Sequence, residues 1–208
     1  MFETKVIATR GDVPLRAAKG HFATNHSHIN YYIDITDQKI RLADAKAAAA
    51  ELAKYYSDTK IDTILCMDSM ALVGAFLADQ LTSNARSVND PNTICVLEPE
   101  YNSNGQMFFR DNVKHHIRNK NVLVLVASAS TGYTAKRGIS GTGYYGGTVI
   151  GIAGIYRAVD EVAGIPIKSI YSPADLPDYQ SFDYHECPYC KAGRGLDAMV
   201  HTNGYTKL

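Results

Sequence analysis

Apolar and polar positions along this chain follow two periods, and the clearest of the apolar runs is Val122 to Val126. Three of its five residues are β-branched, which predicts a strand buried on both faces at the centre of a parallel sheet. A small, hydroxylated turn follows, Ser128, Ser130, Thr131, Gly132 and Thr134, and a helix is expected to begin over Ala135 to Ile139. Leu42 to Tyr56 reads as the strongest helix, rich in Ala and Lys with Leu42, Ala45, Ala49, Leu52 and Tyr56 on one stripe. Ile61 to Leu81 repeats the strand, turn and helix order, with the turn at Asp68, Ser69 and Met70 and the helix running through Gly74. Further strands are expected at Thr93 to Leu97 and at Thr148 to Tyr156, where alternating glycines imply a close neighbour. Gly20 to Asp37 reads as a strand or hairpin after a polar turn holding His21, His26 and His28, and Asn102 to Gly105 as a hairpin or mobile loop.

Such alternation of strands and helices defines an α/β fold with a central, mostly parallel sheet flanked by helices, because right-handed crossovers carry each helix across a face of the sheet. The 208 residues suffice for one domain, with a core of about 41–169 and a hood from about 1–40 and 170–208. The 46% hydrophobic content is ordinary, and 21 basic residues balance 21 acidic ones, so neither a nucleic-acid surface nor an anionic membrane is expected as partner. No segment approaches the length of a membrane span and the N-terminus has no apolar leader, which places the chain in the cytoplasm.

Candidate chemistry concentrates at three places. In the turn Ser130, Thr131, Gly132, Tyr133 and Thr134, backbone N–H groups, hydroxyls and a helix start can converge on one anion, which makes a phosphate cradle; an ordinary strand-to-helix turn has the same composition. His21, His26 and His28 invite a metal reading, but no Cys or carboxylate accompanies them at tetrahedral spacing. Cys187 and Cys190, in the tail CPYC, are either half of a structural zinc site, with His185 and His201 the nearest further ligands, or a redox pair, or two thiols in a proline turn that pins the tail. Cys66 and Cys95 lie in apolar runs as small core residues.

The order of elements, with the central strand entering Ser-Thr-Gly-x-Thr, resembles a type I phosphoribosyltransferase, and orotate phosphoribosyltransferase most nearly. His28, Tyr31, Tyr32 and Asp34 in HINYYID are similar to that family's N-terminal strand segment and imply hood contacts. Asp68, Ser69 and Met70 fall where the family has its first diphosphate-contacting turn, and CPYCKAG resembles the ending of some bacterial members. The resemblance implies a homodimer of nucleotide metabolism and a phosphorylated ligand: ribose 5-phosphate, a nucleotide or 5-phosphoribosyl-1-diphosphate. It also implies a mobile loop, placed here at Tyr101 to Asp111, and magnesium as cofactor if the chain is catalytic.

Two departures shape the functional expectation. The family's motif begins with two adjacent acids that contact the ribose hydroxyls, and Val126 and Ala127 stand in those positions. An Arg-Lys pair that meets the diphosphate is replaced by Leu97-Glu98-Pro99-Glu100. Carboxylates opposite a diphosphate reverse the Coulomb term, on the order of a few kcal/mol at partly buried distances. The phosphate turn survives while the groups for a leaving diphosphate do not. Two functions are therefore expected as alternatives: a transferase whose lost groups are replaced, with Lys114, His115, His116, Arg118 and Lys136 as substitutes, or a non-catalytic binding or regulatory protein on the same scaffold.

Overall fold

The computed structural model describes residues 3–83, 87–90 and 94–208. Its strands are β1 (Lys5–Arg10), β2 (Val13–Ala23), β3 (His28–Asp34), β4 (Thr63–Cys66), β5 (Cys95–Leu97), β6 (Glu100–Tyr101), β7 (Met107–Phe108), β8 (Asn121–Ala129), β9 (Thr148–Arg157), β10 (Glu161–Val162), β11 (Ile165–Tyr171), β12 (Ser181–Phe182), β13 (Ala198–His201) and β14 (Gly204–Lys207). Its helices are α1 (Thr36–Ile40), α2 (Leu42–Ala53), α3 (Ala71–Thr82), α4 (Tyr133–Tyr144) and α5 (Pro188–Lys191), with a single 3₁₀ turn at Lys114–His116.

Two sheets carry the architecture. The core sheet has the order β10-β11-β9-β8-β4-β5, parallel throughout except for the β10 edge. The second sheet, order β12-β3-β2-β13-β14 with β1 also on β2, joins the first strands of the chain to the last. β13 runs parallel to β2, and β12 pairs antiparallel with β3. The expected hood is thus a six-stranded sheet closed by both ends of the chain.

The apolar run at the centre explains the layers. Side chains of a strand alternate between faces, so Leu123, Leu125 and Ala127 of β8 join α2 and α3 in one core. Val122, Val124 and Val126 point the other way, into a second core with Ala135 and Ile139 of α4. All five residues from Val122 to Val126 are fully buried, as a central parallel strand requires.

Several element expectations shift. α2 keeps Ala45, Ala49, Leu52 and Tyr56 inside, whereas Leu42, in its first turn, remains 59% exposed. The strand expected at Thr93 to Leu97 is β5, Cys95–Leu97, and Thr93 lies outside the described residues. His21 belongs to the body of β2 and His28 opens β3, so the polar turn reduces to residues 24–27, closed by Thr24 N–H donating to the Ser27 carbonyl at 2.8 Å. β2 itself had no clean period-2 signal, because a register shift between Lys19 and Phe22 breaks its alternation.

The glycine spacing in β9 has the expected cause. A Cβ on Gly151 would lie 2.9 Å from the ring of Tyr56, whose hydroxyl donates to the Ile152 carbonyl at 2.8 Å. Gly151→Ala therefore displaces Tyr56 and breaks that buried bond. We expect a loss of about 1–3 kcal/mol in urea unfolding, the usual cost of overpacking a core; an unchanged midpoint would show that Tyr56 has room to move.

Candidate functional site

Parallel strands with right-handed crossovers send all their following turns to one edge, and here that edge faces the hood. Between them lies a cleft of about 480 Å³. Its floor is the end of β8 and the turn into α4: Ala127, Ser128, Ser130, Thr131, Gly132, Tyr133 and Thr134. Asp68 and Ser69 after β4 and Glu98 after β5 form one wall; the 24–27 turn, Tyr32 and the β13–β14 turn form the other.

Gly132 sits at the entry to α4 with φ of +75°, a left-handed conformation that costs an L residue about 1–2 kcal/mol. No side chain caps α4. The first-turn amides of a twelve-residue helix are left at the cleft, the arrangement that favours an anion. Ser130 is held by the buried phenol of Tyr179, which donates to its Oγ at 2.8 Å, so the serine's own proton can turn to a ligand. Tyr133 projects outward, 46% exposed, and its ring meets that of His26 at 3.9 Å between centroids, a bridge from the phosphate turn to the hood.

Asp68 and Ser69 are two adjacent non-glycine residues with left-handed φ, +54° and +61°. Strained backbone of this kind persists only where surrounding structure imposes it, and here it aims both residues into the cleft. Met70 does not join them: it is fully buried in the core beneath the turn. Burial pushes the Asp68 carboxyl above the ordinary range, against the pull of Lys39, the Ala127 amide and Arg137. Burial likewise lowers the Lys39 ammonium, whose Nζ donates to the Thr202 carbonyl. With its folded-state pKa raised, ionised Asp68 destabilises the fold; the penalty is absent below the ordinary carboxylate range and grows as pH rises through it to the elevated value. Asp68→Asn should raise the melting temperature at neutral pH, with the gain shrinking toward about pH 4. A lower melting temperature at neutral pH would mean that the attraction of Lys39 outweighs burial.

Other candidates lie elsewhere. Tyr31 turns to the opposite face of β3 from Tyr32, with the Lys19 ammonium 5.6 Å from its ring. His28 faces His21, Cys187 and Cys190 rather than the cleft. His185 is exposed, with its amide on Asp183, and His201 lines the cleft, so neither accompanies the two cysteines. Lys114 is paired with Asp111, the His116 ring meets Cys95 at 2.9 Å, and none of Lys114, His115, His116, Arg118 and Lys136 lines the cleft. Its cations are Lys39 and Arg137, which sequence reasoning missed. Arg137, one turn into α4, stacks its guanidinium over Tyr101 at 4.5 Å and forms no ion pair among the described residues. Tyr101 lies on the β6–β7 hairpin, where Tyr101 to Asp111 was expected to be a mobile loop. Glu98 faces the cleft, but Glu100 is turned away onto Arg110 at 2.7 Å.

No sequence-family model and no curated protein sequence matches this chain. Solved structures do. The chain is similar to the orotate phosphoribosyltransferase of Mycobacterium tuberculosis H37Rv in complex with 5-phospho-alpha-D-ribosyl 1-diphosphate, with a TM-score of 0.50 and 15% identity over 70% of this chain and 82% of that one. It is similar to the adenine phosphoribosyltransferase of Trypanosoma brucei in complex with AMP, pyrophosphate and ribose-5-phosphate, with a TM-score of 0.52 and 14% identity over 85% and 83% of the two chains. UMP synthase of Leishmania donovani matches at a TM-score of 0.53 and 16% identity over 71% of this chain and 31% of its own. The fold is that of the type I phosphoribosyltransferases.

On that fold, the two positions where the family motif has acids are not equivalent. Ala127 lines the cleft, while Val126 is fully buried in the α4-side core. Neither offers an oxygen, and the carboxylates that do face the cleft, Asp68 and Glu98, belong to other turns. The motif positions of this phosphoribosyltransferase fold therefore do not fit a magnesium-bound diphosphate. Among the described residues no helix is long and apolar enough to cross a membrane.

Proposed function

We propose that the cleft binds a phosphorylated ribosyl ligand, ribose 5-phosphate or a nucleoside monophosphate, with its phosphate on the Ser130 to Thr134 turn, and does so without transferring the ribosyl group. The observation that carries this reading is the uncapped start of α4 behind a left-handed Gly132, opening into a cleft of about 480 Å³. A phosphate there would accept hydrogen bonds from first-turn amides and from the hydroxyls of Ser130, Thr131 and Thr134. Arg137 and Lys39 supply positive charge at the same cleft. The ribose would extend past Ala127 toward Tyr32 and the hood turn.

Transfer from 5-phosphoribosyl-1-diphosphate asks for more. The diphosphate must be held as a leaving group while positive charge develops on the ribose. Here the wall facing the ribose carries Asp68 and Glu98 in place of cations, and Ala127 cannot accept a hydrogen bond from a ribose hydroxyl. The opposite reading, a transferase with relocated groups, draws on those same two carboxylates. Calorimetric titration with ribose 5-phosphate, a nucleoside monophosphate and unphosphorylated ribose tests the proposal. Saturable heat with the phosphorylated ligands and none with ribose is the expected result; absence of heat with all three would overturn it.

A further inference from the structure

The second site lies behind the hood wall and takes no part in the cleft's chemistry. His21 on β2, His28 at the start of β3, and Cys187 and Cys190 flanking the first turn of α5 bring four donor atoms within 4.8 Å of one another. From these four residues we infer a structural zinc centre with two imidazole and two thiolate ligands, which clamps the C-terminal tail onto the hood and fixes the turn that lines the cleft.

The spacings are those of a tetrahedron. Zinc–sulfur bonds of about 2.3 Å and zinc–nitrogen bonds of about 2.0–2.1 Å at tetrahedral angles separate the ligands by about 3.4 Å for N···N, about 3.6 Å for N···S and about 3.8 Å for S···S. The observed separations are 3.1 Å from His21 Nε2 to His28 Nδ1, 3.4 Å from His21 Nε2 to Cys187, 3.7 Å from His21 Nε2 to Cys190 and 3.3 Å from His28 Nδ1 to Cys190.

The outer partners fit as well. His21 Nδ1 faces two backbone carbonyls, Arg194 at 3.0 Å and Gly195 at 3.1 Å. Carbonyls only accept, so Nδ1 carries the proton and Nε2 presents its lone pair to the other three donors, the orientation that a ligating histidine takes from its second hydrogen bond. The His21 backbone is pinned on both sides: its N–H donates to Asp197 Oδ2 at 2.7 Å and its carbonyl accepts from the Asp197 N–H at 2.7 Å. His21 and Cys187 are fully buried. Two thiolates and two neutral imidazoles cancel the charge of a divalent ion, so the centre suits a buried position, and this mixed sulfur and nitrogen set favours zinc over magnesium or calcium.

Placement gives the centre a consequence. Residues 24–27 connect the two histidine ligands, and Thr24, Asn25, His26 and Ser27 all line the cleft. The metal would hold both ends of that turn, and with it the His26 ring against Tyr133.

Metal analysis of the full chain purified without chelator should give about one zinc per chain, and titration of the chelator-stripped chain with cobalt should give visible bands of a tetrahedral site with thiolate charge transfer. Cys190→Ser, at the exposed ligand, should lose the charge-transfer intensity and most of the bound metal while circular dichroism shows a retained fold. Stripping the metal should lower the melting temperature of the unmodified chain. Cobalt bands that vanish in Cys190→Ser support the centre even where the purified chain arrives without zinc. Three results would overturn it: neither zinc nor cobalt bands, metal retained undiminished in both Cys190→Ser and His28→Ala, or a Cys187–Cys190 disulfide in the freshly purified chain.

Discussion

Gly132→Val weakens ribose 5-phosphate binding by about 100-fold. Valine at φ of +75° meets the steric penalty of the left-handed region, about 1–2 kcal/mol and greater for a β-branched residue. Its Cβ would also lie 2.5 Å from Val162 Cγ2, so the turn must move away from β10. Each charge-assisted hydrogen bond to a phosphate contributes about 1.5–3 kcal/mol, and displacing the turn removes one or two of them, which is the source of the factor. Titration calorimetry reads the change directly. Because the substitution also strains the fold, Arg137→Ala serves beside it: that side chain is at the surface of α4, and its loss should lower affinity about 10-fold or more with the melting temperature little altered. Parental affinity in both variants would remove the phosphate from this turn.

The unmodified chain is expected to show no magnesium-dependent transfer from 5-phosphoribosyl-1-diphosphate to orotate above the blank. Two lost charge-assisted contacts of about 1.5–3 kcal/mol each, made to a ribose whose charge changes in the transition state, lower a rate by several orders of magnitude. Glu98, exposed on the cleft wall, adds repulsion toward the diphosphate; Glu100 does not, because it is engaged with Arg110 on the outside of the hairpin. The informative comparator is Ala127→Asp, which places a carboxylate in the cleft. Val126→Glu would instead bury an unpaired charge among Val124, Ala135 and Ile152, at a cost on the order of several kcal/mol, and would report on stability. Spectrophotometric loss of orotate by the unmodified chain, undiminished in Ala127→Asp, would favour the transferase reading.

The parts of this fold that sequence made legible are those where one period dominates. Val122 to Val126 is apolar at every position because both faces of β8 are covered, and the turn after it is readable because Ser, Thr and Gly are what a strand-to-helix anion site needs. The Asp68 turn was placed at the right edge, yet Met70 was assigned to the ligand when its side chain supports α3 from below; spacing along a turn does not say which residue points inward. Lys39 was not identifiable at all. It is one polar residue on a five-residue helix, and only the return of the C-terminal β13–β14 turn makes it part of a cleft.

The histidines failed for a related reason. Metal spacing rules were applied to His21, His26 and His28 as neighbours, whereas the chain brings Cys187 and Cys190 to His21 and His28 from about 160 residues away by pairing β13 with β2. Strand alternation had already separated the trio. His21 and His28 face each other across adjacent strands, and His26, at the tip between them, faces the cleft. A pattern read locally sees three histidines of one kind, while the sheet sorts them into two sites.

The central claim is that the α4 turn is an anion site built for a ribosyl phosphate, and a crystal structure of the chain with ribose 5-phosphate tests it most directly. The account predicts phosphate density within hydrogen-bond distance of the Gly132 to Thr134 amides and the Thr131 and Thr134 hydroxyls, the Arg137 guanidinium swung from Tyr101 toward it, and the ribose lying over Ala127. A cleft without ligand at saturating ribose 5-phosphate, or a phosphate bound at another surface while the turn amides face protein carbonyls, would contradict it.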